Sequence, residues 1–341
     1  MPYRVVVGDV PLSFGDFDKN LAAAGFEVVR LPADAREWTP ALIRDYVHDA
    51  QALVGMFAQL KLPREVLAAG EKLRIVVSPV IGTEHIDVAA ATELGIAVGY
   101  GATPENYLGV AEAIVMEMAM LQKNFAAKQA ALREGGWRVP HPGHMIRGST
   151  VGIIGFGNLG RGLARRLAGW ECALLATDPY IDPAVAPPLN VRLVDLDTLL
   201  RDSDFVVLAV TLTDETRHMI AAPQFALMKP GAHLINAARG GVVDEAALLA
   251  ALNEGRLAGA AIDTWEQEPA PADHPLRRHA KVLPTGHNVG HSEAAYASLP
   301  VAAVENTMRG LAGEPPLHFR NPDVLPKWRE RLRRLGVNSG G

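Results

Sequence analysis

Cysteine is almost missing from this chain, and its scarcity narrows the class of protein. The 341 residues contain one cysteine, Cys172, so no disulfide can form within the chain. Disulfide frameworks belong to oxidising compartments. The N-terminal stretch MPYRVVVGDV also has too short an apolar run for a secretion signal. We therefore expect a cytoplasmic protein.

Long apolar runs and a strong excess of one charge are also lacking. The apolar stretch from Val110 to Leu121 is interrupted by Glu112 and Glu117, which argues against a membrane span. A net charge of -5 gives no electrostatic reason to expect nucleic acid or an anionic membrane as a partner. With 49% hydrophobic and 21% charged residues, the composition is that of a globular protein, long enough for two domains.

Strand-like and helix-like segments alternate along the first 100 residues. In order they are YRVVVGD, FDKNLAAAG, EVVRL, TPALIRDYVHDA, ALVGMF, PREVLAAG, LRIVVSPV, HIDVAAATELG and IAVGY. Such alternation predicts a parallel sheet with helices on its faces. A long helix follows, from Pro104 to about Lys123, and is expected to continue to Arg133.

The alternation resumes in the second half of the chain. The segments there are CALLATD, VRLV, DLDTLLRDS, FVVLAVTL, ETRHMIAAPQFALM, GAHLINAA, DEAALLAALNEG, LAGAAIDT and KVLPT. A further helix is predicted from about Ser292 to Ala312. The basic C-terminal stretch RERLRRLGVNSGG is expected to be a solvated helix end in preference to a binding patch. The pattern predicts an α/β fold with two doubly wound parallel-sheet domains and a cleft between them.

Between the two halves lies a glycine-rich turn, VGIIGFGNLG, at Val151–Gly160. Gly155 would make the tight turn, Gly157 would let a pyrophosphate approach the backbone, and Gly160 would let the next helix pack closely. The new helix offers free N–H groups to phosphates. After a second strand comes Asp178, at the spacing where a carboxylate meets the adenosine ribose, which favours NAD over NADP.

Three chemically useful features follow predicted strands, at the sheet edge where such folds place their sites. Arg239 precedes two glycines and can hold a carboxylate by two parallel hydrogen bonds. The loop DTWEQEP, residues 263–269, carries three acids, and His287 lies in PTGHNVGHSEAA. Each has a simpler interpretation: a surface ion pair, solvated loop charges, or a loop histidine without function. No third ligand accompanies His287 and His291, so no metal site is predicted.

Taken together, these motifs resemble the NAD-dependent D-isomer-specific 2-hydroxyacid dehydrogenases along nearly the whole chain. The matching pieces are VIGTEHIDVAAATELGIAV, NYLGVAEA, VGIIGFGNLG, TLTDETRHMI, LINAARGGVVDEAAL, AIDTWEQEP and PTGHNVGHSEAA. The resemblance implies a catalytic set of Arg239, Glu268 and His287. In it, His287 is the general acid/base, Glu268 keeps the imidazole protonated, and Arg239 binds the carboxylate and polarises the keto oxygen.

The resemblance also implies the binding residues and the domains. It implies a discontinuous, flavodoxin-like substrate-binding domain at 1–103 and 296–341, and a Rossmann NAD-binding domain at 104–295. The substrate would be a small 2-keto or 2-hydroxy acid, bound by Arg239, His287 and the backbone of Val80, Ile81 and Gly82. The implied NAD ligands are Gly155, Gly157, Asn158, Leu159, Gly160, Asp178, Val210, Thr216, Ala238, Asp263 and Gly290. A homodimer is expected, since such assemblies are common, with the long Pro104 helix as a candidate interface.

The chain departs from the family pattern at a few positions. The family's usual Thr-Pro-His followed by an apolar residue is Thr285-Gly286-His287-Asn288 here, which questions the stiffness of the loop. Thr211 stands where proline is common. Glu268 separates the chain from the formate dehydrogenase branch, which carries glutamine there.

Alternative functions remain open from the sequence. One is an NAD(H)-responsive binding protein, as in the C-terminal-binding corepressors that resemble the same dehydrogenases. Another is a family member that oxidises an unusual oxyanion such as phosphite. The apolar residues Val80 and Ile81 argue weakly against a phosphorylated substrate, although the charge that such a substrate needs could come from Arg138, His141, His144 and Arg147. The sequence does not decide which 2-hydroxy acid is used.

Overall fold

The computed structural model divides the chain into two compact units. One comprises Met1–Asn106 and Ser292–Gly341, and the other Tyr107–His291. The structure describes residues 2–10, 17–57, 60–138, 140 and 142–337. The remaining positions of the predicted domains lie outside the described residues.

Strands and helices alternate through both units. The strands are β1 Arg4–Val7, β2 Glu27–Arg30, β3 Ala52–Val54, β4 Ile75–Ser78, β5 Ala97–Tyr100, β6 Thr150–Ile154, β7 Ala173–Thr177, β8 Val191–Leu193, β9 Phe205–Leu208, β10 Ala232–Asn236, β11 Leu257–Ile262 and β12 Val282–Pro284. The helices are α1 Phe17–Ala23, α2 Pro40–Val47, α3 Arg64–Ala69, α4 Val88–Leu94, α5 Pro104–Gln122, α6 Phe125–Arg133, α7 Asn158–Arg166, α8 Leu196–Asp202, α9 Ala222–Leu227, α10 Glu245–Asn253, α11 Pro275–Arg278, α12 Glu293–Ala312 and α13 Leu325–Arg334.

The first unit is built on a parallel sheet of order β2-β1-β3-β4-β5. This is the order of the flavodoxin-like fold that the family resemblance implies. Helices α2, α3 and α4 bury apolar side chains against one face. Helices α1, α12 and α13 do so against the other. The apolar residues of the strands are therefore enclosed on both faces, as a parallel sheet requires.

The second unit is built on a parallel sheet of order β12-β11-β10-β9-β6-β7-β8. Strands β6 to β11 follow the Rossmann order, in which the direction of strand addition reverses beside β6, and β12 extends the sheet beyond β11. Helices α8, α9 and α10 contribute to the core on one face, and α5 and α7 on the other. The predicted α/β class with two parallel sheets is confirmed.

The long helix predicted to run to Arg133 is in fact two helices. Helix α5 ends at Gln122, and Asn124 takes a left-handed conformation with φ of 51° before α6 begins. Asparagine tolerates this conformation better than most residues, so the chain can break there. Among the described residues, no helix is both long and apolar enough to cross a membrane.

Two other helix predictions need correction. In ETRHMIAAPQFALM only Ala222–Leu227 is helical, because the preceding residues pair with the segment after β10, where Ile220 bridges Val243. The basic C-terminal stretch is not merely a solvated helix end. Trp328 and Leu332 of α13 are fully buried and contribute to the first unit's core.

Candidate active site

The glycine-rich turn joins β6 to α7. Gly155 has φ of 92°, and a Cβ there would lie 2.6 Å from Ala209 O. A Cβ on Gly160 would collide with the carbonyl of Gly155, whereas one on Gly157 would meet nothing within 4 Å. Only glycine therefore fits at the two crowded positions. The open space at Gly157, beside the N-terminus of α7, suits a pyrophosphate.

Asp178 follows β7 and is tied to this turn. Its Oδ2 accepts a hydrogen bond from Phe156 N at 2.8 Å, and its Oδ1 accepts one from Tyr180 N at 3.0 Å. The tyrosine hydroxyl donates to Glu215 Oε2 at 2.7 Å. The carboxylate is thus fixed at the end of β7, one strand away from the glycines.

The other residues predicted to bind the cofactor occupy the same edge of the second sheet. Asn158 and Leu159 begin α7, Val210 Cγ1 faces Gly155, and Ala238 follows β10. Thr216 uses its hydroxyl to close a turn, donating to Thr211 O at 2.7 Å. Gly290 packs against Val110 so closely that a Cβ could not be accommodated.

Arg239 stands on a turn that a buried asparagine shapes. Asn236 Oδ1 accepts from Ala238 N at 3.2 Å, and its Nδ2 donates to Arg239 O at 3.0 Å. The next residue, Gly240, lies so close to the backbone of Trp265 that a Cβ would overlap it. This contact brings the arginine turn against the loop that carries Glu268.

His287 and Glu268 form a hydrogen-bonded pair. The distance between His287 Nδ1 and Glu268 Oε2 is 2.7 Å, and Glu268 Oε1 accepts from Trp265 N at 3.0 Å. Burial alone would raise the pKa of Glu268, but the bonds from His287 and Trp265 and the charge of Arg239 lower it below its usual value. Glu268 is therefore an ionised acceptor, so Nδ1 of His287 carries the hydrogen. Nε2 then faces away from Glu268, on a side chain that is 44% exposed.

The His287 loop is held by Asp263, which is 4% exposed. Its Oδ1 accepts hydrogen bonds from Thr285 Oγ1 at 2.6 Å, Asn288 N at 2.9 Å and Val289 N at 3.1 Å. Its backbone carbonyl accepts from His287 N at 2.7 Å. One buried carboxylate thus binds a side chain before the histidine and two backbone N–H groups after it.

These bonds bear on the unusual Gly286. The loop lacks the family's proline, yet Trp265 Nε1 donates to Thr285 O at 2.8 Å, just before the glycine, and Asp263 holds the residues just after it. His287 takes a left-handed conformation with φ of 57°, which costs energy unless the surroundings impose it. The rigidity that proline would supply comes here from hydrogen bonds to the neighbouring loop.

Glu117 of α5 carries a buried carboxyl group. In the sequence it is notable only because it interrupts an apolar run. It is 2% exposed, and neither of its oxygens has a hydrogen-bond partner among the described residues. Burial, together with the negative charge of Asp263, raises the pKa of Glu117 to about 8. A largely protonated carboxyl therefore lies within electrostatic reach of Asp263.

The segment Val80–Gly82 follows β4 in the first unit. Its three carbonyl oxygens accept hydrogen bonds, from Gly101 N at 3.2 Å, Arg320 Nη2 at 3.1 Å and Ser78 Oγ at 2.5 Å respectively. None of its three N–H groups donates a hydrogen bond to a described residue. The backbone thus offers a row of free donors, an arrangement that suits an anion.

The structure brings Arg239, Glu268, His287 and Asp263 together at one edge of the second sheet. Sequence reasoning missed the roles of Trp265, Asn236 and Thr285, whose hydrogen bonds shape this edge; the signal was their position at or shortly after the carboxyl ends of strands, next to the predicted residues. Among the described residues, no group of three or more His, Cys, Asp or Glu side chains could hold a metal ion.

Comparison with known proteins gives consistent matches. The family model for the NAD binding domain of D-isomer specific 2-hydroxyacid dehydrogenases matches residues 115–289. The chain is similar to the glyoxylate reductase of Korarchaeum cryptofilum, with 37% identity over 291 residues, which cover 83% of this chain and 86% of that protein.

It is also similar to the D-3-phosphoglycerate dehydrogenase of Methanocaldococcus jannaschii, at 36% identity over 85% of this chain. The match covers 55% of that protein, so the chain spans about half the length of such relatives. Among solved structures, the NAD-dependent formate dehydrogenase of Staphylococcus aureus in complex with NAD aligns with a TM-score of 0.79 and 28% identity, covering 92% of this chain and 96% of that one.

Proposed function

The chain belongs to the D-isomer specific 2-hydroxyacid dehydrogenase family, and from this membership we propose that it interconverts a small 2-keto acid and the corresponding 2-hydroxy acid, in the manner of a glyoxylate or hydroxypyruvate reductase. The observation that carries the proposal is the bond between His287 Nδ1 and the ionised Glu268. It leaves Nε2 as the ring atom that exchanges a proton with the substrate oxygen. A carbonyl reduction needs such a proton donor, whereas oxidation of formate does not.

In this proposal each side chain has one task. His287 donates the proton to the keto oxygen during reduction and accepts it during oxidation. Glu268 fixes the orientation of the imidazole ring through its bond to Nδ1, so that Nε2 is the ring atom left for the substrate. Arg239 binds the substrate carboxylate through its planar fork of donors. We further propose that the free N–H groups of Val80–Gly82 bind a substrate carboxylate.

The cofactor is NAD, and the described residues fit it. Gly157 leaves room for the pyrophosphate beside α7, and Asp178 is held where it can accept hydrogen bonds from the ribose hydroxyls. Bound NADH supplies the hydride for reduction at C2. The chain's part is to orient both reactants and to stabilise the charge on the substrate oxygen.

A steady-state screen with purified protein tests the proposal. NADH and NADPH would each be combined with glyoxylate, hydroxypyruvate, larger 2-keto acids and a phosphorylated 2-keto acid. We expect turnover of a small, unphosphorylated 2-keto acid. Phosphite and formate with NAD test the oxyanion alternatives, and protein that binds NADH but turns over none of these substrates would instead support a binding role.

Replacing Asp178 tests the basis of cofactor choice. We expect Asp178→Ser to reduce the preference for NADH over NADPH by about tenfold or more, because the carboxylate repels the 2′-phosphate of NADPH. A tenfold change corresponds to about 1.4 kcal/mol of binding free energy. The kcat/KM ratio for the two cofactors is the measurement. Asp182→Ser is a nearby control, since Asp182 only caps a short turn. An unchanged ratio in Asp178→Ser would show that selectivity lies elsewhere.

We also propose that the protein is a homodimer formed through the second unit. Large apolar side chains are exposed along α5, α6 and the residues after them, namely Met116, Phe125, Leu132, Trp137 and Met145. Such a concentration is typical of an interface. Light scattering on a size-exclusion column should give twice the chain mass of 36.5 kDa. The double variant Phe125→Glu with Leu132→Glu should be monomeric, and a wild-type monomer would contradict the proposal.

A further inference from the structure

The loop that contains Val80–Gly82, residues 79–83, is fastened by one arginine from the far end of the chain. Arg320 donates from Nη2 to Ile81 O at 3.1 Å and from Nε to Thr83 Oγ1 at 3.2 Å. Its guanidinium lies over the ring of Tyr100, 4.6 Å from the centroid, which is within the range of a cation–π contact. The ring is thus a third contact of the guanidinium that makes both hydrogen bonds.

The backbone that carries Arg320 is itself well anchored. Arg320 N donates to Val98 O at 2.8 Å, and Tyr100 N donates to His318 O at 3.1 Å, so this segment pairs antiparallel with β5. The buried Asn321 accepts from Val98 N at 2.9 Å through its Oδ1. The arginine side chain therefore starts from a fixed point next to the loop.

The charge of Arg320 is not neutralised by an acid. Among the described residues, no carboxylate forms an ion pair with it; the guanidinium contacts a carbonyl, a hydroxyl and a ring. The side chain is half-buried, where a charge is screened less than in open water. The guanidinium therefore places a positive charge against the carbonyl of Ile81, in the middle of the segment Val80–Gly82.

We propose that Arg320 is a positioning residue for substrate binding: it fixes the orientation of the loop through Ile81 O and Thr83 Oγ1, and it adds a positive charge beside the loop that favours a carboxylate. This role rests on the proposed function of the loop and deepens it. Arg320 does not touch the reacting atoms. Its effect is on the affinity for the acid, and so on the selection of anionic substrates.

The test compares three variants by steady-state kinetics with NADH and the best 2-keto acid of the screen. Arg320→Met removes both hydrogen bonds and the charge, and we expect KM for the 2-keto acid to rise about tenfold or more, since bonds to charged groups are among the stronger ones. The kcat of Arg320→Met should stay within about twofold of the wild-type value, because the variant loses binding energy equally in the ground state and the transition state. Arg320→Lys keeps the charge but not the fork, so its KM should fall between wild type and Arg320→Met.

Arg331→Met is the matched control. Arg331 also binds carbonyls from the C-terminal part of the chain, those of Leu73 at 2.6 Å and Gly70 at 2.6 Å, but these lie before β4, at the opposite end of the strand from the loop. We expect it to lower the thermal midpoint while leaving the KM for the 2-keto acid unchanged. NADH affinity, followed by fluorescence, should be unaffected in all three variants.

The outcomes separate the two hypotheses. A wild-type protein without turnover of any 2-keto acid overturns the proposed function. Wild-type turnover combined with an unchanged KM in Arg320→Met overturns only the role of Arg320. That role is also overturned if Arg320→Met and Arg331→Met raise KM equally. A general loss of stability would then explain the effect without any role for the bonds to the loop.

Discussion

Replacement of His287 by asparagine is expected to lower kcat for 2-keto acid reduction by about 10²- to 10⁴-fold, the usual contribution of a general acid. Asparagine tolerates the left-handed backbone found at His287, so the loop should keep its shape. NADH affinity should be unchanged, since the ring does not build the glycine-rich turn. Steady-state kinetics and a fluorescence titration measure the two quantities.

His144→Asn is the control, because His144 is an exposed histidine of the same unit. Its kcat should equal that of wild type. Arg239→Ala should differ from His287→Asn by raising KM for the acid as well as lowering kcat, and Arg239→Lys should not restore full affinity, because lysine lacks the two-pronged fork. Small, equal losses in His287→Asn and Arg239→Ala would contradict the assigned roles.

Replacement of Glu117 by glutamine is expected to stabilise the protein increasingly as the pH rises. The folded-state pKa of about 8 lies above the usual 4.5, so between these values the folded state binds more protons than the unfolded state. The stability of the wild type therefore falls as the pH rises through this window. Because glutamine cannot ionise, the variant does not lose this free energy of unfolding as the pH rises.

The size of the effect follows from the same shift. Between pH 5 and pH 8, the stability of Glu117→Gln relative to wild type should increase by about 3 kcal/mol. Urea unfolding at several pH values, followed by circular dichroism, measures it. The contributions of groups that do not interact with Glu117 cancel in the difference between the two proteins, including those of His85 and His233, whose pKa values burial lowers to about 4.

Glu112→Gln provides a comparison on the same helix. Glu112 is exposed and forms an ion pair with Arg166 at 2.7 Å, and such pairs contribute little. Its replacement should change stability by less than about 1 kcal/mol at any pH. A flat pH dependence in Glu117→Gln would mean that the Glu117 carboxyl finds a partner or water in solution.

Much of the fold could be predicted because its signals are local. The strands of the first unit are short apolar runs bounded by glycine or polar residues, and Thr39 with Pro40 marks the start of α2, where Thr39 Oγ1 accepts from Leu42 N at 3.1 Å. Alternation alone then implied two parallel sheets. The break at Asn124 was not predictable in this way, because a left-handed residue inside a helical pattern leaves no trace in periodicity.

The proposed catalytic residues could be predicted from the sequence, but the hydrogen bonds that hold them in place could not. Arg239, Glu268 and His287 belong to recognisable motifs. That Asp263 would hold the His287 loop depends on bonds across 22 to 26 positions of the chain, which no local pattern contains. The same is true of Arg320, which reaches Ile81 across 239 positions.

The interrupted first unit has a consequence for how the chain is made. One face of its sheet is covered by α12 and α13, which follow the entire second unit in sequence. During synthesis from the N-terminus, the second unit is complete at His291, while the first sheet still exposes the apolar face that α12 and α13 will cover. A nascent chain paused at that point would carry a complete nucleotide-binding unit and a sheet with an exposed apolar face. Because such a face promotes aggregation, we expect chaperones to matter most during this part of translation.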